Sequence, residues 1–318
     1  MDYSRRRFIG AASVILAANS VKSFSTDESS TDTLGSESNF HYIYGNDALR
    51  QDFYKFLTNV FHLQPEVDLH RLISEVTAKH DNDRDIYNDL HEQIGSIRPF
   101  LSELTYGLPA LARQKQVIAE QTTQLLPEKP YHEGYLEVGS TGRYLDSLEE
   151  VLEITGERYF MGPLPATYSV PDMVDRGQIA KAGEFIDLNN YQSNLGAVIP
   201  VNSIDLATVY IGFHHCPIVL REEFITSIRD VLRPGASMIL RDHNVHDETM
   251  WKMVALAHDV FNMGTTESWE YNDDELRKFY SLEKLDNMLR QYGFRSDEVK
   301  LYQDGDPTLN ALMLYKKV

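Results

Sequence analysis

The chain has 318 residues, 42% hydrophobic and 25% charged, which suits one large or two ordinary globular domains. Its formal net charge of −18 is the opposite of the basic face with which proteins displace counterions from nucleic acid, so a small-molecule partner is expected and a nucleic-acid partner is not. The single cysteine, Cys216, excludes an internal disulfide, and no apolar run is long enough to argue for a membrane-spanning helix.

The amino terminus reads as an address. Ser4-Arg5-Arg6-Arg7-Phe8-Ile9 precedes an apolar run that ends near Ala18, the order basic, apolar, small-residue of a bacterial export signal. The segment resembles a twin-arginine signal, S-R-R-x-F-[IL], at every specified position. That resemblance implies that residues 1–20 are a leader and that the folded chain is exported to the periplasm. A short basic leader that stays attached to a cytoplasmic protein is the alternative. Ser23 to Asn39 is rich in Ser, Thr, Asp and Glu without apolar periodicity, so residues 21–40 are expected to be a solvated linker.

Residues 41–130 carry a helical pattern. Phe53, Phe56, Leu57, Val60 and Phe61 fall on one helical stripe, as do Leu69, Leu72, Ile73 and Val76, and then Ile86, Leu90, Ile94 and Ile97. Pro65, Pro99 and Pro109 punctuate three or four helices, expected to form a cap or small bundle. His62, His70, His80 and His91 lie among them without metal-ligand spacing on one face and read as surface or edge histidines.

After Pro130 short apolar runs alternate with helical stretches, the mark of βαβ units. Strands are expected at Tyr135–Val138, Glu157–Met161, Glu184–Leu188, within Ser203–Phe213, and at Ser237–Arg241. Leu220, Phe224, Ile228, Val231 and Leu232 make an amphipathic helix stopped by Arg233-Pro234-Gly235. Met250, Val254, Ala257, Val260 and Phe261 make another, with Gly264 placed past its end, and Trp269 and Tyr271 then read as a loop over the pocket. Ser281 caps a helix ended by Gly293, and strands near Val299–Tyr302 and Asn310–Tyr315 would close the sheet as a hairpin with one antiparallel member. The expected fold of residues 131–318 is a doubly wound, mostly parallel seven-stranded α/β sheet.

The stretch Tyr135-Leu136-Glu137-Val138-Gly139-Ser140-Thr141-Gly142-Arg143-Tyr144-Leu145 runs from a buried strand through a glycine turn into a helix. Glycines there let the backbone approach a ligand, and free amides at a helix start favour negative groups. On these residues the chain resembles the class I S-adenosylmethionine-dependent methyltransferases, whose first motif has an acid before a glycine-rich turn. Ser203-Ile204-Asp205-Leu206-Ala207-Thr208-Val209 resembles that family's fourth strand, and Val231-Leu232-Arg233-Pro234-Gly235-Ala236 its turn before strand five. Tyr280-Ser281-Leu282-Glu283-Lys284-Leu285, with Tyr292-Gly293-Phe294, resembles its approach to the closing hairpin. The resemblance covers about Tyr131 to Tyr315. It implies a Rossmann-like methyltransferase fold, S-adenosyl-L-methionine as cofactor, a small-molecule acceptor, and cofactor contacts from Glu137, Gly139, Ser140, Thr141, Gly142 and Asp187. The motif is one residue short and lacks the middle glycine. Strand two, ending Arg158-Tyr159-Phe160-Met161-Gly162-Pro163, lacks the acid that holds ribose hydroxyls in the family, leaving Asp172 or Glu157 as substitutes.

Ligands of open parallel sheets bind beyond the carboxyl ends of the strands. Phe213-His214-His215-Cys216-Pro217 follows strand four and Arg241-Asp242-His243-Asn244 ends strand five, with His246 and Asp247 behind. His214, His215, Asp242 and His243 are therefore the candidate catalytic residues, an imidazole taking a proton and Asp242 orienting it. A zinc or iron site from these residues and His246 is the alternative, weakened if adjacent histidines on a strand point to opposite faces. Two further readings remain: an exported binding protein on a degenerate methyltransferase fold, and Cys216 as a nucleophile.

Overall fold

The computed structural model describes residues 38–99, 103–126, 131–169, 172–173, 176–177, 183–192 and 194–318. The expected leader, residues 1–20, and the linker up to residue 37 lie outside the described residues.

Ser38 does not belong to a solvated linker. Its side chain caps helix α1 (Asn39–Tyr44) by accepting from the His41 amide at 3.0 Å and donates to Asp83, and Phe40 and Ile43 of the same helix are fully buried. Helices α2 (Asp47–Phe56), α3 (Glu66–Thr77), α4 (Asp83–Ile97) and α5 (Leu108–Leu125) follow, with one-turn π segments at Leu57–Phe61 and Glu103–Gly107. Asn46 caps α2 and Asn82 caps α4 through side-chain oxygens. Pro109 falls in the first turn of α5, where a missing N–H costs nothing.

Among the described residues there follow β1 (Tyr131–Val138), α6 (Leu145–Glu149), β2 (Glu153–Gly162), β3 (Glu184–Asp187), β4 (Ile204–Val209), α7 (Ile218–Val231), β5 (Leu232–His243), α8 (Glu248–Gly264), α9 (Trp269–Asp274), α10 (Leu282–Gln291), β6 (Phe294–Tyr302) and β7 (Asn310–Lys317), with short 3-10 turns at Asn189–Tyr191 and Leu195–Ala197. The sheet order is β3-β2-β1-β4-β5-β7-β6, parallel except for β7, which runs antiparallel to both β5 and β6. The expected doubly wound, mostly parallel sheet with a closing hairpin is thus what forms. Strand β5 is longer than expected: it starts at Leu232, paired with Ile204, and continues through Arg233-Pro234-Gly235 across a register shift, with Gly235 at φ +74°.

The two-residue period of the strands sorts side chains onto two layers. Leu136, Val138, Ala207, Val209, Met238 and Leu240 face a core with α7 and α10, whereas Tyr135, Leu206, Ile239, Leu312 and Leu314 face α5 and α6. Helix α8 is shared: Met253, Leu256, Val260 and Met263 pack into one apolar cluster with Phe40, Phe53, Leu72, Ile73 and Tyr87 of the helical region. The helical region therefore packs on the sheet domain through α8. Trp269 and Tyr271 lie in α9 rather than in a loop, and Trp269 packs edge-on against Tyr87 with centroids 5.4 Å apart.

Candidate functional site

Gly139 and Gly142, at φ +93° and +86°, give the turn after β1 a shape that L-residues rarely adopt. A Cβ on Gly139 would lie 2.5 Å from the Ile211 side chain, and one on Gly142 would lie 2.9 Å from the Phe160 ring, so both glycines are also required by packing. The turn crosses the end of β2: the Ser140 carbonyl lies 3.5 Å from where a Cβ on Gly162 would be, an ordinary contact.

Glu137 faces the α5/α6 layer, fully buried. Its carboxylate accepts from the Tyr135 hydroxyl at 2.8 Å, from the Ser140 hydroxyl and from the Tyr144 amide at 3.3 Å. Burial pushes this carboxyl up, against the pull of those donors. The residue expected to hold the cofactor therefore holds the loop, and Ser140, which also accepts from the Arg143 amide, is tied to it. Thr141 and Ser140 keep part of their surface accessible. Asp187, at the end of β3, is exposed and accepts from the Asn189 amide at 2.8 Å.

No carboxylate replaces the ribose-holding acid of strand two among the candidates named from sequence. Glu157 lies exposed in mid-strand, five residues before the Gly162 end, or roughly 16 Å at strand rise. The Asp172 carboxylate accepts from the Thr167 amide at 2.5 Å and lies 3.4 Å from the Arg176 guanidinium. Among the described residues, the carboxyl ends of β1 to β3 present the Gly139–Gly142 turn, the backbone of Gly162 and Pro163, and Asp187.

The polar residues after β4 and β5 do converge. His214 and His215 sit in a turn closed by the Cys216 amide on the Phe213 carbonyl, not on a strand, so the opposite-face argument against a shared site does not hold. Their rings lie 4.1 Å apart, centroid to centroid. His243 comes from the end of β5, 5.8 Å from His214, and His258 from α8, 5.3 Å from His214 and 5.4 Å from His215. One ring nitrogen from each of His214, His215 and His258 falls within 4.8 Å of the others. His258 is not among the candidate catalytic residues named from sequence. His246 is exposed and bonded to the Asn244 carbonyl, outside the cluster.

Asp242 organises this end of the sheet. Fully enclosed, it accepts from His214 Nδ1 at 2.6 Å, the Phe213 amide at 3.0 Å, the His243 amide at 2.8 Å and the Tyr280 hydroxyl at 2.5 Å. Burial alone would raise its pKa, but the His214 charge and hydrogen bond, with Tyr280 and His243, hold it down at about 2. Three of the imidazoles, those of His215, His243 and His258, are poor bases. Burial pushes His215 and His258 well down, aided by His214 beside the first and Arg277 near the second, and brings His243 to about 3. Cys216 is no nucleophile, since burial pushes its thiol up to about 12.

Beside the cluster a cavity of about 60 Å3 is lined by His243, His258, Arg241, Asn262, Glu275 and Thr308, among others. A larger groove of about 670 Å3 lies between α5 and the β6–β7 turn, and Val60 and Gln114 line both spaces. Asp259 pins α8 to α9 and the segment that follows it: it accepts from Arg277 at 2.7 Å and from Asn272 at 2.8 Å.

Replacing Asp242 by Ala leaves two backbone amides, an imidazole N–H and a phenol buried without an acceptor. The expected loss is about 3–5 kcal/mol in chemical denaturation, and a loss below about 1 kcal/mol would contradict the role given to Asp242.

No protein-family model and no curated protein matches the chain. Among solved structures it is similar to the 1,6-didemethyltoxoflavin-N1-methyltransferase of Burkholderia thailandensis, solved with S-adenosylhomocysteine bound. That match has 12% identity and a TM-score of 0.42, over 66% of this chain and 79% of that one. An O-methyltransferase family protein from Burkholderia thailandensis matches at 12% identity and TM-score 0.45, over 77% of this chain and 62% of its own. The mitomycin 7-O-methyltransferase MmcR matches at 11% and 0.44, over 81% and 68%.

Proposed function

We propose that the chain binds S-adenosyl-L-methionine across the carboxyl ends of β1, β2 and β3 and transfers its methyl group to a small-molecule acceptor. The observation that carries this reading is the glycine turn between β1 and α6. Two left-handed glycines are braced from below by the buried Glu137, at the open edge of a parallel sheet with a reversed seventh strand. When bound, the cofactor supplies an electrophilic methyl on a sulfonium. Gly139, Ser140, Thr141 and Gly142 would approach it with backbone, and Asp187 would offer a carboxylate on the nucleoside side. The acceptor would enter along the groove between α5 and the β6–β7 turn, which leads toward His243 and His258. Imidazoles held neutral by burial do not serve as general bases at neutral pH, so His215 and His243 would shape the acceptor end while alignment supplies the acceleration.

Calorimetric titration tests this reading. S-adenosylhomocysteine is expected to bind one to one at micromolar affinity, NAD to give no heat, and Glu137→Ala to weaken binding at least tenfold by releasing the loop. Silence with S-adenosylhomocysteine would sink the proposal. The second reading, an exported binding protein without turnover, is favoured by the bare Gly162-Pro163 end of β2 and would show itself as cofactor binding without methyl transfer to any of a panel of small acceptors.

We also propose that residues 1–20 export the chain by the twin-arginine route. Residues 1–40 fused to a folded reporter are expected to carry it to the periplasm, and the paired Arg5→Lys and Arg6→Lys substitutions to retain it in the cytoplasm. Export of that doubly substituted fusion by the same route would refute the assignment.

A further inference from the structure

The histidine cluster has a feature that methyl transfer does not use: its ring nitrogens are sorted into two kinds. Nδ1 of His214 faces the Asp242 carboxylate at 2.6 Å, Nδ1 of His215 the Leu276 carbonyl at 3.0 Å, and Nδ1 of His243 the Thr308 carbonyl at 3.1 Å. These oxygens only accept, so each Nδ1 carries the proton and each Nε2 the lone pair. The Nε2 atoms of His214 and His215 are buried and have no hydrogen-bond partner. Both residues are 3% exposed. Buried acceptors left unmade are costly, and here the two rings that carry them lie 4.1 Å apart, with a third imidazole, His258, closing the triangle.

Imidazoles whose far nitrogen donates to a carboxylate or a backbone carbonyl are oriented as metal ligands are, because that bond fixes the tautomer and raises the basicity of the other nitrogen. Around an ion with metal–nitrogen bonds of about 2.0–2.1 Å, three nitrogens stand roughly 3.3 Å apart. The three rings here, with nitrogens within 4.8 Å of one another, would each need to move by only about 1 Å. The charges also suit a cation: the Asp242 carboxylate lies against His214, and the nearby Arg277 is already paired with Asp259 at 2.7 Å and Glu275 at 2.8 Å. The cavity of about 60 Å3 at His243 and His258 holds a few water molecules, enough for a solvent ligand at an open coordination position.

We propose that His214, His215 and His258 bind one borderline divalent transition-metal ion of the zinc or iron(II) class. His243 stands beside it, Asp242 positions His214, and an open coordination position faces the cavity. All-imidazole donors select such ions over magnesium or calcium, which take oxygen ligands. The site stands independently of S-adenosylmethionine binding, because none of its residues belongs to the β1 turn or to β3.

The test is a titration of tag-free, chelator-stripped full-length chain with Co2+, read by its visible d–d absorption, followed by competition with Zn2+ and with Mg2+. The expected result is one strongly absorbing cobalt per chain, displaced by zinc and not by magnesium. His214→Ala and His258→Ala should each abolish the band, and Asp242→Asn should weaken binding tenfold to a hundredfold without removing it. His246→Ala should leave the band unchanged. His258→Gln, which keeps side-chain bulk, serves if the alanine variant fails to fold, as judged by circular dichroism. Absence of a one-to-one band in the wild-type chain, or a band that neither His258 variant diminishes, would overturn the proposal.

Discussion

The carboxyl edge of the sheet depends on one buried carboxylate. Asp242 ends β5 and gathers the Phe213 amide, the His214 ring and the Tyr280 hydroxyl, joining the turn after β4 and the segment before α10 to its own strand. A carboxylate out of water is tolerated only when its lone pairs are satisfied, and here four donors satisfy them. The hub dictates sequence around it. Gly212 stands at φ +72°, and a Cβ there would lie 2.7 Å from both Asp242 Oδ2 and His214 Nδ1, so no side chain fits between the end of β4 and the hub.

Glu137 plays the corresponding part at β1. It lies on the same face as Tyr135 and Thr208, and the Tyr135 hydroxyl bridges the two, 2.8 Å from each. The two carboxylates thus shape the two loops at the ligand edge from inside the protein, one under the glycine turn and one under the histidine turn. Both are turned inward, so the surface they leave to these loops is made of backbone atoms and neighbouring side chains.

Much of the fold was legible in the sequence because buried parallel strands are short apolar runs and their connecting helices carry a 3.6-residue stripe. Ser281 and Gly293 bounded α10 as read, the first capping the Lys284 amide and the second at φ +86°. The start of α1 was missed because only six residues form it and its cap, Ser38, sits in a polar stretch that otherwise looks solvated. The turn at His214 and His215 was legible in part: Gly212 before it and Pro217 after it are turn residues, yet the apolar Ile211 and Phe213 drew the strand onward. His258 had no local signal as a partner of these residues. It is 43 positions from His215 and reaches it only because the helical region and the β5–α8 connection hold α8 across the strand ends. Nor does a sequence say which way an acid faces at a strand end, so the hydrogen bonds by which the buried Glu137 braces the loop were not legible.

The nucleoside site we propose lies on the edge framed by Glu137 and Asp242. The most direct measurement is a crystal structure of the chain grown with S-adenosylhomocysteine. The account predicts electron density for the ligand against the backbone of Gly139 to Gly142, with its nucleoside reaching toward Asp187. A glycine turn and β3 end bare of ligand at saturating concentration, or ligand density elsewhere on the molecule, would contradict it.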